Sequence, residues 1–338
     1  MNIANRDMFP SDATQARFAD IGPLLENSLL DEAFHQHEAK AVRAKRIYHR
    51  VGRFAILLIA ISAIYTISDA LVLDATRWTT SLTLGAAVLA ILGIAMQAMI
   101  IVTRQKQVWL LNRFACERIR SLKFQSFHLG DNVRDKAGLQ TAVTEFTSRH
   151  LSRLENDLNA GMAVLERFSP DKALDTPDHE KLGDADPTMA AQAREAFEEL
   201  RVRYQINFAS SEVASLRGKM RSVTSLQDVM YFSAVTLAFI SLGIKIFDPA
   251  HDLPTHWVDF AAITLFISGA TKAITDNALL QEQSQGRYET YIGALEHAMV
   301  VANGRRASLD EIVDAIERVC LVELDLFCQD ALRVSYRF

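Results

Sequence analysis

Long apolar runs stand out in the pattern of hydrophobic and polar positions along the chain, and they occur in two pairs. The first pair covers Phe54–Leu73 and Ser81–Thr103, and the second pair covers Val229–Phe247 and Val258–Ile274. An apolar helix of about 20 residues matches the roughly 30 Å hydrocarbon core of a bilayer. The pattern therefore predicts four transmembrane helices in a polytopic membrane protein.

The connectors within the pairs, residues 74–80 and 248–256, are too short to cross back, so each pair is predicted to form an antiparallel hairpin. Basic residues concentrate at the opposite ends of the spans. They include Lys40, Arg43, Lys45, Arg46, Arg50 and Arg53 before the first span, Arg104 and Lys106 after the second, Arg217, Lys219 and Arg221 before the third, and Lys272 at the exit of the fourth. Because basic residues mark the cytoplasmic side, both termini and the central region are expected in the cytoplasm.

The two halves of the chain align without a gap at an offset of 174 residues. Matching pairs are Phe34 with Phe208, Glu38 with Glu212, Arg43 with Arg217, Lys45 with Lys219, Asp74 with Asp248, Gln107 with Gln281 and the turn glycines Gly130 with Gly304. A constant offset that also superimposes four apolar spans indicates a tandem duplication.

Outside the spans, apolar residues recur at helical spacing, and no alternation typical of strands is present. The fold class is therefore predicted to be all-α, with repeats over residues 1–168 and 188–338 and an acidic, proline-containing linker over 169–187. Cytoplasmic helices are expected over about residues 24–53, 104–127, 139–168, 188–228, 275–302 and 309–334. The last of these begins with Ser308-Leu309-Asp310-Glu311, which has the spacing of a capping box.

Composition and charge agree with a membrane protein that has a cytoplasmic part. The chain is 49% apolar, and its mean hydropathy of +0.06 is high for a soluble protein. The net charge of −5 conceals a basic region, because residues 38–136 contain fifteen Lys or Arg and only six Asp or Glu. Cys116, Cys320 and Cys328 lack the spacing of a disulfide framework or metal site and are expected to be reduced core residues.

The helices that flank the first hairpin combine basic and aromatic residues. A basic helix, Glu38 to Arg53, enters the membrane, and Gln107-Val108-Trp109-Leu110-Leu111-Asn112-Arg113-Phe114-Ala115-Cys116-Glu117 leaves it. Over roughly residues 30–125, and by the repeat 204–299, this arrangement resembles the SLATT family of two-span membrane effector domains, found beside nucleotide-sensing and nucleotidyltransferase genes in bacterial conflict systems. Gln283 replaces Trp109 and Tyr291 replaces Glu117 in the second repeat, where the resemblance depends mainly on the duplication. The resemblance implies a pore-forming effector of anti-phage defence in the bacterial inner membrane, controlled by a nucleotide or oligonucleotide from a nucleotidyltransferase partner.

Several polar residues lie in or beside the spans, where they are costly and often functional. Asp69 and Lys245 lie near the outer ends of equivalent spans and are expected either to pair or, for Asp69 with Asp248 and Asp259, to form an acidic mouth that favours cations. Gln97 and its repeat equivalent Thr271 are expected either to support helix packing or to narrow a pore.

Basic residues beside the membrane form the candidate ligand site. Arg43, Lys45, Arg46, Arg113, Arg118, Arg120 and Lys123 are expected either to contact lipid headgroups or to line a phosphate-binding basin, with Trp109 and Phe114 available to stack on a base. Arg113 to Lys123 lie about 15–30 Å along the helix from Arg104, which favours the basin. Arg305 and Arg306, in the turn before the capped helix, form a second candidate anion site.

The sequence has no phosphate-binding loop, zinc-protease motif, nucleophile elbow or Cys/His metal spacing, so neither an enzyme nor a cofactor is expected. Four packed helices leave no room for an aqueous path, so a pore requires a homo-oligomer of two to four chains, with a tetramer favoured. The leading hypothesis is a ligand-gated pore that depolarises the membrane. The alternatives are a non-conducting scaffold for a cytoplasmic partner and, less favoured for repeats of parallel orientation, a small transporter.

Overall fold

The structure is a computed structural model that describes residues 5–72, 79–133, 135–174, 186–247, 255–278 and 281–333. Within the described helices, the side chains of residues 67–72, 79–83, 219–228, 243–247, 255–257, 272–278 and 281–283 are not described. The described ranges are helical and contain no β-strand, which confirms the predicted all-α class.

Long helices account for most of the chain. They are α3 (Ser28–Val72), α4 (Thr79–Val102), α5 (Gln105–Gln125), α6 (Lys136–Leu158), α9 (Pro187–Phe197), α10 (Tyr204–Phe247), α11 (Thr255–Ala278), α12 (Gln281–Arg305) and α13 (Leu309–Arg333). Short helices are α1 (Asp12–Arg17), α2 (Gly22–Leu25), α7 (Ala163–Glu166) and α8 (Pro170–Ala173), and a 3₁₀ turn covers Ser126–Asp131. A π-helical segment, Glu198–Arg203, joins α9 to α10 without a break.

Helix ends follow local capping chemistry. Asp135 accepts a hydrogen bond from the Gly138 amide at the start of α6. The Ser308–Glu311 capping box is confirmed, because the Ser308 amide donates to Glu311 and the Glu311 amide donates to the Ser308 hydroxyl. The preceding turn is shorter than expected. Helix α12 continues through Gly304 to Arg305, and Arg306 (φ 54°) takes the left-handed position that commonly ends a helix.

The chain divides into two compact units. The charged unit consists of Met1–Arg43, Gln107–Ser215 and Gln283–Arg333, and the apolar unit consists of Ala44–Lys106, Leu216–Glu282 and Val334–Phe338. Helices α3 and α10 contribute residues to both units.

Large side chains form the core of the charged unit. Phe124 and Phe127 stack with ring centroids 5.6 Å apart, and Phe197 packs edge-on against Phe124 at 6.0 Å. Ile312 and Ile316 of α13, four residues apart on one face of the helix, are fully buried. Cys116, Cys320 and Cys328 are buried and free of disulfides, as expected.

Small side chains form the interior of the apolar unit. Its buried residues are mostly small, namely Ala44, Ala55, Ala60, Ser62, Ala86, Ala234, Ser241 and Ala262, with four larger ones, Tyr48, Ile56, Ile100 and Leu216. Gly93 of α4 packs so closely on α3 that a Cβ atom there would lie 2.7 Å from Ile59 Cγ1 and 3.0 Å from the Ala55 carbonyl oxygen. The Ser62 hydroxyl donates to the Ala86 carbonyl at 2.7 Å. These contacts hold α3 and α4 in close approach.

Two helical stretches are long and apolar enough to cross a membrane, Ser28–Thr66 and Leu84–Asp131. They overlap the first two predicted spans over residues 54–66 and 84–103. The stretches Val229–Leu242 and Val258–Thr271, within the third and fourth predicted spans, are apolar but shorter among the residues whose side chains are described.

Candidate anion-binding cleft

Helix α5 carries four of the predicted phosphate-binding residues, and the structure buries most of them. From Phe114 to Gln125, every residue of this helix except Glu117 is buried. A helix that is buried on all sides must satisfy its charged groups inside the protein, because an unpaired charge in the interior is very costly. The partners of these residues therefore decide which of them can meet a ligand.

Arg120 is paired within the fold. Its Nε atom lies 2.9 Å from Asp7, an Nη atom lies 2.6 Å from Glu117, and the other donates to Asn5 at 2.7 Å. Burial acts to lower the pKa of Arg120, but the Asp7 and Glu117 carboxylates outweigh it and raise the pKa. Burial likewise acts to raise the pKa of Glu117, but Arg113 and Arg120 lower it to about 2. Arg120 therefore anchors the N-terminal segment instead of facing a basin.

Lys123 is also hydrogen-bonded inside the fold. Only 1% of the residue is exposed, and its ammonium group donates to the backbone carbonyls of Met8 and, at 2.8 Å, of Leu25. Burial lowers the pKa of Lys123 to about 8, in spite of the opposing field of Asp31. The predicted basin does not include Arg120 and Lys123, because a phosphate would have to displace partners that the fold itself requires.

Arg113 and Arg118 differ from these two residues. The Arg113 side chain is 39% exposed and pairs with Glu117 at 2.5 Å, one helical turn away. Arg118 is 8% exposed, and its Nη1 atom donates to the Ala173 carbonyl at 3.0 Å. Its guanidinium also lies 5.9 Å from the centre of the Phe168 ring, within range of a cation–π contact.

Arg118 lies on the wall of a cleft of about 340 Å³ in the charged unit. The lining residues are Phe114, Arg118, His150, Arg153, Leu154, Asn156, Asp157, Ala160, Ala163, Val164, Arg167, Phe168, Ser169, Lys172 and Ala173. His150, Arg153 and Asp157 project from one face of α6, since residues three or four apart are neighbours on a helix. Gly161 (φ 63°) then reverses the chain, and α7 and α8 provide the opposite wall.

Positive charge dominates this cleft. Its described lining contains four Arg or Lys side chains and one carboxylate, Asp157, an excess of three positive charges. Arg153, Arg167 and Lys172 are exposed. Ser169, Lys172 and Ala173 belong to the predicted linker (169–187), but in the structure they line this cleft.

The two predicted stacking residues are core residues. Trp109 is 8% exposed, with its ring edge-on to Phe327 at 6.4 Å. Phe114 is 1% exposed, with its ring edge-on to Phe168 at 5.0 Å. Neither ring has an open face for a base, because both lie inside the core. Phe168, which the sequence analysis did not select, presents a partly exposed ring in the same cleft.

The remaining predicted basic residues lie outside the cleft. Arg43, Lys45 and Arg46 are exposed on α3, with Arg43 in the charged unit and the other two in the apolar unit. Arg305 and Arg306 are exposed where α12 ends. None of these five residues lines the cleft.

The structure describes the side chains of three of the five predicted pore residues. Ser241 of α10 donates a hydrogen bond to Asp259 of α11, and the Thr271 hydroxyl donates to the Ile267 carbonyl of its own helix at 2.8 Å. Gln97 is partly buried, and its amide nitrogen has no hydrogen-bond partner among the described residues. Asp69 and Lys245 lie outside the residues whose side chains are described.

Two further ionic contacts of the charged unit are not predicted from the sequence. Arg201 and Glu317 are 3% and 0% exposed and form a bidentate pair at 2.6 and 2.9 Å. His128 is held between two carboxylates, 2.9 Å from Asp310 and 3.3 Å from Asp314. For Glu317 the sequence does contain one sign of burial. It lies four residues after the apolar Val313, so the two residues share a face of α13.

Among the described residues, no group of three His, Cys, Asp or Glu side chains is placed to hold a metal ion. No family model, curated protein or solved structure matches the chain.

Proposed function

We propose that the protein is a ligand-controlled membrane effector of bacterial anti-phage defence. In this proposal a phosphate-bearing ligand binds the charged unit, and a homo-oligomer of apolar units forms the conduction path that depolarises the inner membrane. The observation that supports the membrane role is the burial pattern of the apolar unit, in which many large apolar side chains are exposed and most buried side chains are small. The pore and its nucleotide control follow from the sequence resemblance and the basic cleft.

The apolar helices differ from the core helix of a soluble protein. Such a helix is mostly buried, whereas only 33% and 17% of the most apolar windows of the two candidate spans are buried. Ile101, Phe232 and Phe239 are 72%, 74% and 68% exposed. Lipid is the solvent that favours such a surface, since exposed apolar area of this extent is rare on soluble monomers.

Helix lengths support the duplication and hence four spans. At the offset of 174 residues, α3 and α10 correspond and contain 45 and 44 residues, while α4 and α11 correspond and contain 24 each. Two hairpins of parallel orientation place both termini and the charged unit in the cytoplasm, by the distribution of basic residues.

Conduction is proposed to require several chains. The small residues inside the apolar unit pack too tightly for an aqueous path, so the path must form between copies, and a tetramer is favoured. The partly buried Gln97, whose amide nitrogen has no hydrogen-bond partner among the described residues, is proposed to face this path, since native structures rarely leave such groups unpaired.

A membrane-potential dye tests the proposal in bacterial cells that express the protein with and without its genomic neighbours. Depolarisation is expected for the wild type and for Ile91→Leu, a control on the exposed face of α4. Gln97→Leu is expected to abolish depolarisation without reducing the amount of protein in the membrane fraction. Equal depolarisation by Gln97→Leu would argue against its pore role. Failure of the wild type to depolarise under any condition would favour the scaffold.

A further inference from the structure

Helix α3 carries a row of arginines directly before its apolar span. Arg46, Arg50 and Arg53, here called the arginine row, are spaced four and three residues apart, so they share one face of the helix. All three are exposed. Leu57 lies four residues further along on the same face and is 47% exposed. The exposed face of α3 therefore changes from basic to apolar within about one helical turn.

The arginine row has no carboxylate near it in the sequence. Between Glu38 and Asp69 the chain contains no acidic residue. In the part of the chain that the structure describes, no carboxylate forms an ion pair with any arginine of the row. Arg120 and Arg201 of the charged unit, in contrast, are each paired with a carboxylate. The charge of the row is therefore available to a ligand outside the chain.

We propose that the arginine row binds the phosphate of an anionic phospholipid. The inference rests on the proposed function, because it requires the apolar unit to lie in a bilayer. It adds the class of lipid that the protein selects and the residues that select it.

The position of the row along α3 matches the headgroup layer. The headgroups on each side of a bilayer occupy about 5–8 Å beyond the hydrocarbon core. At a rise of about 1.5 Å per residue, Arg50 and Arg53 lie within about 6 Å of Phe54, the first residue of the predicted span. Helical side chains lean towards the N-terminus, here the cytoplasmic side, so both guanidinium groups extend away from the hydrocarbon. Arg46 lies about 12 Å from Phe54 and adds a weaker, longer-range attraction.

Exposed apolar side chains directly follow the row and favour a lipid over a soluble phosphate. Phe54 and Leu57 of α3 are 54% and 47% exposed. A phospholipid carries its acyl chains next to its phosphate, so one molecule can contact the arginines and these side chains together. Nucleotides and inorganic phosphate have no such apolar part and leave this surface in water, which is unfavourable.

The end of α4 adds apolar surface at the same level. Helix α4 runs antiparallel to α3 and packs on it at Gly93, where a Cβ atom would lie 3.0 Å from the Ala55 carbonyl oxygen. Continuing from this contact to the end of α4 reaches the level of Arg46 to Arg50. Val102, the last residue of α4, is 78% exposed. Basic and apolar side chains are therefore exposed at one depth of the hairpin, as an amphiphilic ligand requires.

The second repeat has no corresponding row. At the offset of 174 residues, its three positions are occupied by Met220, Thr224 and Gln227. Arg43 and Lys45, which precede the row, do have basic counterparts in the second repeat. The same orientation is proposed for both hairpins, so orientation alone does not require the row. The additional charge of the first repeat therefore points to a ligand of its own.

Arginine is well suited to this ligand. Its planar guanidinium donates two parallel hydrogen bonds to a phosphate, whereas lysine acts as a point charge. Each basic residue close to an anionic membrane surface raises affinity roughly fivefold. A zwitterionic lipid gains less, because its headgroup also carries a positive charge. Two arginines at headgroup depth are therefore expected to favour an anionic lipid by at least about tenfold.

Native mass spectrometry of the purified full-length protein in detergent tests the inference. Dioleoylphosphatidylglycerol and dioleoylphosphatidylcholine have the same acyl chains and differ in headgroup charge, and each is titrated separately. The wild type is expected to bind the phosphatidylglycerol at least about tenfold more tightly. Arg50→Gln/Arg53→Gln is expected to bind the two lipids within about threefold of each other.

Arg203→Gln/Arg333→Gln is the matched control, because it removes the same charge from two exposed arginines of the charged unit. It is expected to keep the preference of the wild type. Arg50→Lys/Arg53→Lys conserves the charge and is expected to retain most of the preference. Circular dichroism compares the helicity of all variants, which is expected to be equal because the exchanged side chains are exposed.

Three results would overturn the inference. The first is equal binding of the two lipids by the wild type. The second is a glutamine variant of the row that keeps the preference of the control, and the third is displacement of phosphatidylglycerol by an equal concentration of glycerol 3-phosphate. Glycerol 3-phosphate carries the phosphate without acyl chains, so its success would identify a site for a soluble phosphate.

Flotation with vesicles distinguishes failure of this inference from failure of the proposed function. Wild-type protein that floats with phosphatidylcholine vesicles but shows no lipid preference would retain the membrane location and remove the lipid site. Protein that floats neither with these vesicles nor with vesicles containing phosphatidylglycerol would remove the membrane location, and the lipid site with it.

Discussion

The charged unit and the apolar unit follow opposite rules of burial. Of the 24 large apolar side chains that are exposed among the described residues, 18 belong to the apolar unit. The charged unit instead buries phenylalanines together with arginines, a lysine and carboxylates. In water, large apolar groups gain most from burial. In lipid that gain is absent, and helices associate through small residues in close contact. The difference between the units is the one expected from the proposed location of the apolar unit in lipid and of the charged unit in water.

The charged interior has its own cost. Burying an ion pair is often no better than burying apolar side chains of the same size, but removing one partner leaves an uncompensated charge. The structure supplies several such pairs in one unit, and the stability of that unit depends on their remaining complete. Variants of these pairs and of the close contacts in the apolar unit test whether the contrast holds.

The largest effect is expected for the Arg201–Glu317 pair. Glu317→Leu leaves the Arg201 guanidinium buried without its bidentate partner and is expected to lower the free energy of unfolding by about 4 kcal/mol. The double variant Arg201→Met/Glu317→Leu is expected to recover most of this loss, because it removes both charges. Chemical denaturation in detergent, followed by the near-ultraviolet signal, measures both. A double variant as unstable as the single one would show that the pair does more than compensate charge.

A smaller, pH-dependent effect is expected at His128. Burial acts to lower the pKa of His128, but hydrogen bonding and charge from Asp310 and Asp314 raise it from 6.5 to about 9. The contact therefore contributes its full stability below pH 6.5 and loses it as the pH rises towards 9. His128→Ala is expected to cost about 2 kcal/mol at pH 6, a value reduced by solvent screening because more than a third of Asp314 is exposed.

The pH window for this test is set by Lys123. Burial lowers the pKa of Lys123 to about 8, so above that pH its loss of a proton favours the folded state and opposes the His128 effect. Thermal unfolding of the wild type and His128→Ala between pH 6.5 and 8 isolates the histidine. The difference in stability between them should shrink steadily over this interval, and a constant difference would contradict the assigned charge of His128.

Sequence periodicity was sufficient for most of the fold but not for the interior of the charged unit. The helices, the capping box at Ser308 and the apolar face of α13 follow local rules that a sequence displays. The partners of Arg120 do not, since Asp7 lies far away in sequence and its burial depends on the path of the N-terminal segment. For this reason, the basic residues of α5 indicate a ligand basin when the sequence is considered alone. In the structure, Arg120 and Lys123 are paired inside the fold.

Most of the basic residues that line the cleft were also not predictable from the sequence. Arg118 was predicted from the sequence, but Arg153, Arg167 and Lys172 were not, because they are scattered over α6, the residue after α7 and the predicted linker. Only the turn at Gly161 brings them opposite one another. The hydropathy pattern of a sequence predicts individual helices. It does not predict which side chains from different helices come together, because that depends on the turns between them.

The smallest effect is expected at Gly93 in the apolar unit. A methyl group there would overlap Ile59 and the Ala55 carbonyl, and such overpacking costs about 1–3 kcal/mol. Alanine gains about 1 kcal/mol over glycine in a helix, so the net loss for Gly93→Ala is about 1 kcal/mol. Gly85→Ala on the same helix has no atom within 4 Å of the new methyl and is expected to be neutral or stabilising.

Thermal unfolding in detergent is expected to place Gly85→Ala above Gly93→Ala by several degrees. The two variants differ only in what the methyl group meets, so equal melting temperatures would mean that α3 and α4 do not rely on close approach at Gly93. Close packing of small residues would then no longer explain how the apolar unit holds together with few large side chains in its interior. The contrast between the units would be reduced to their surfaces.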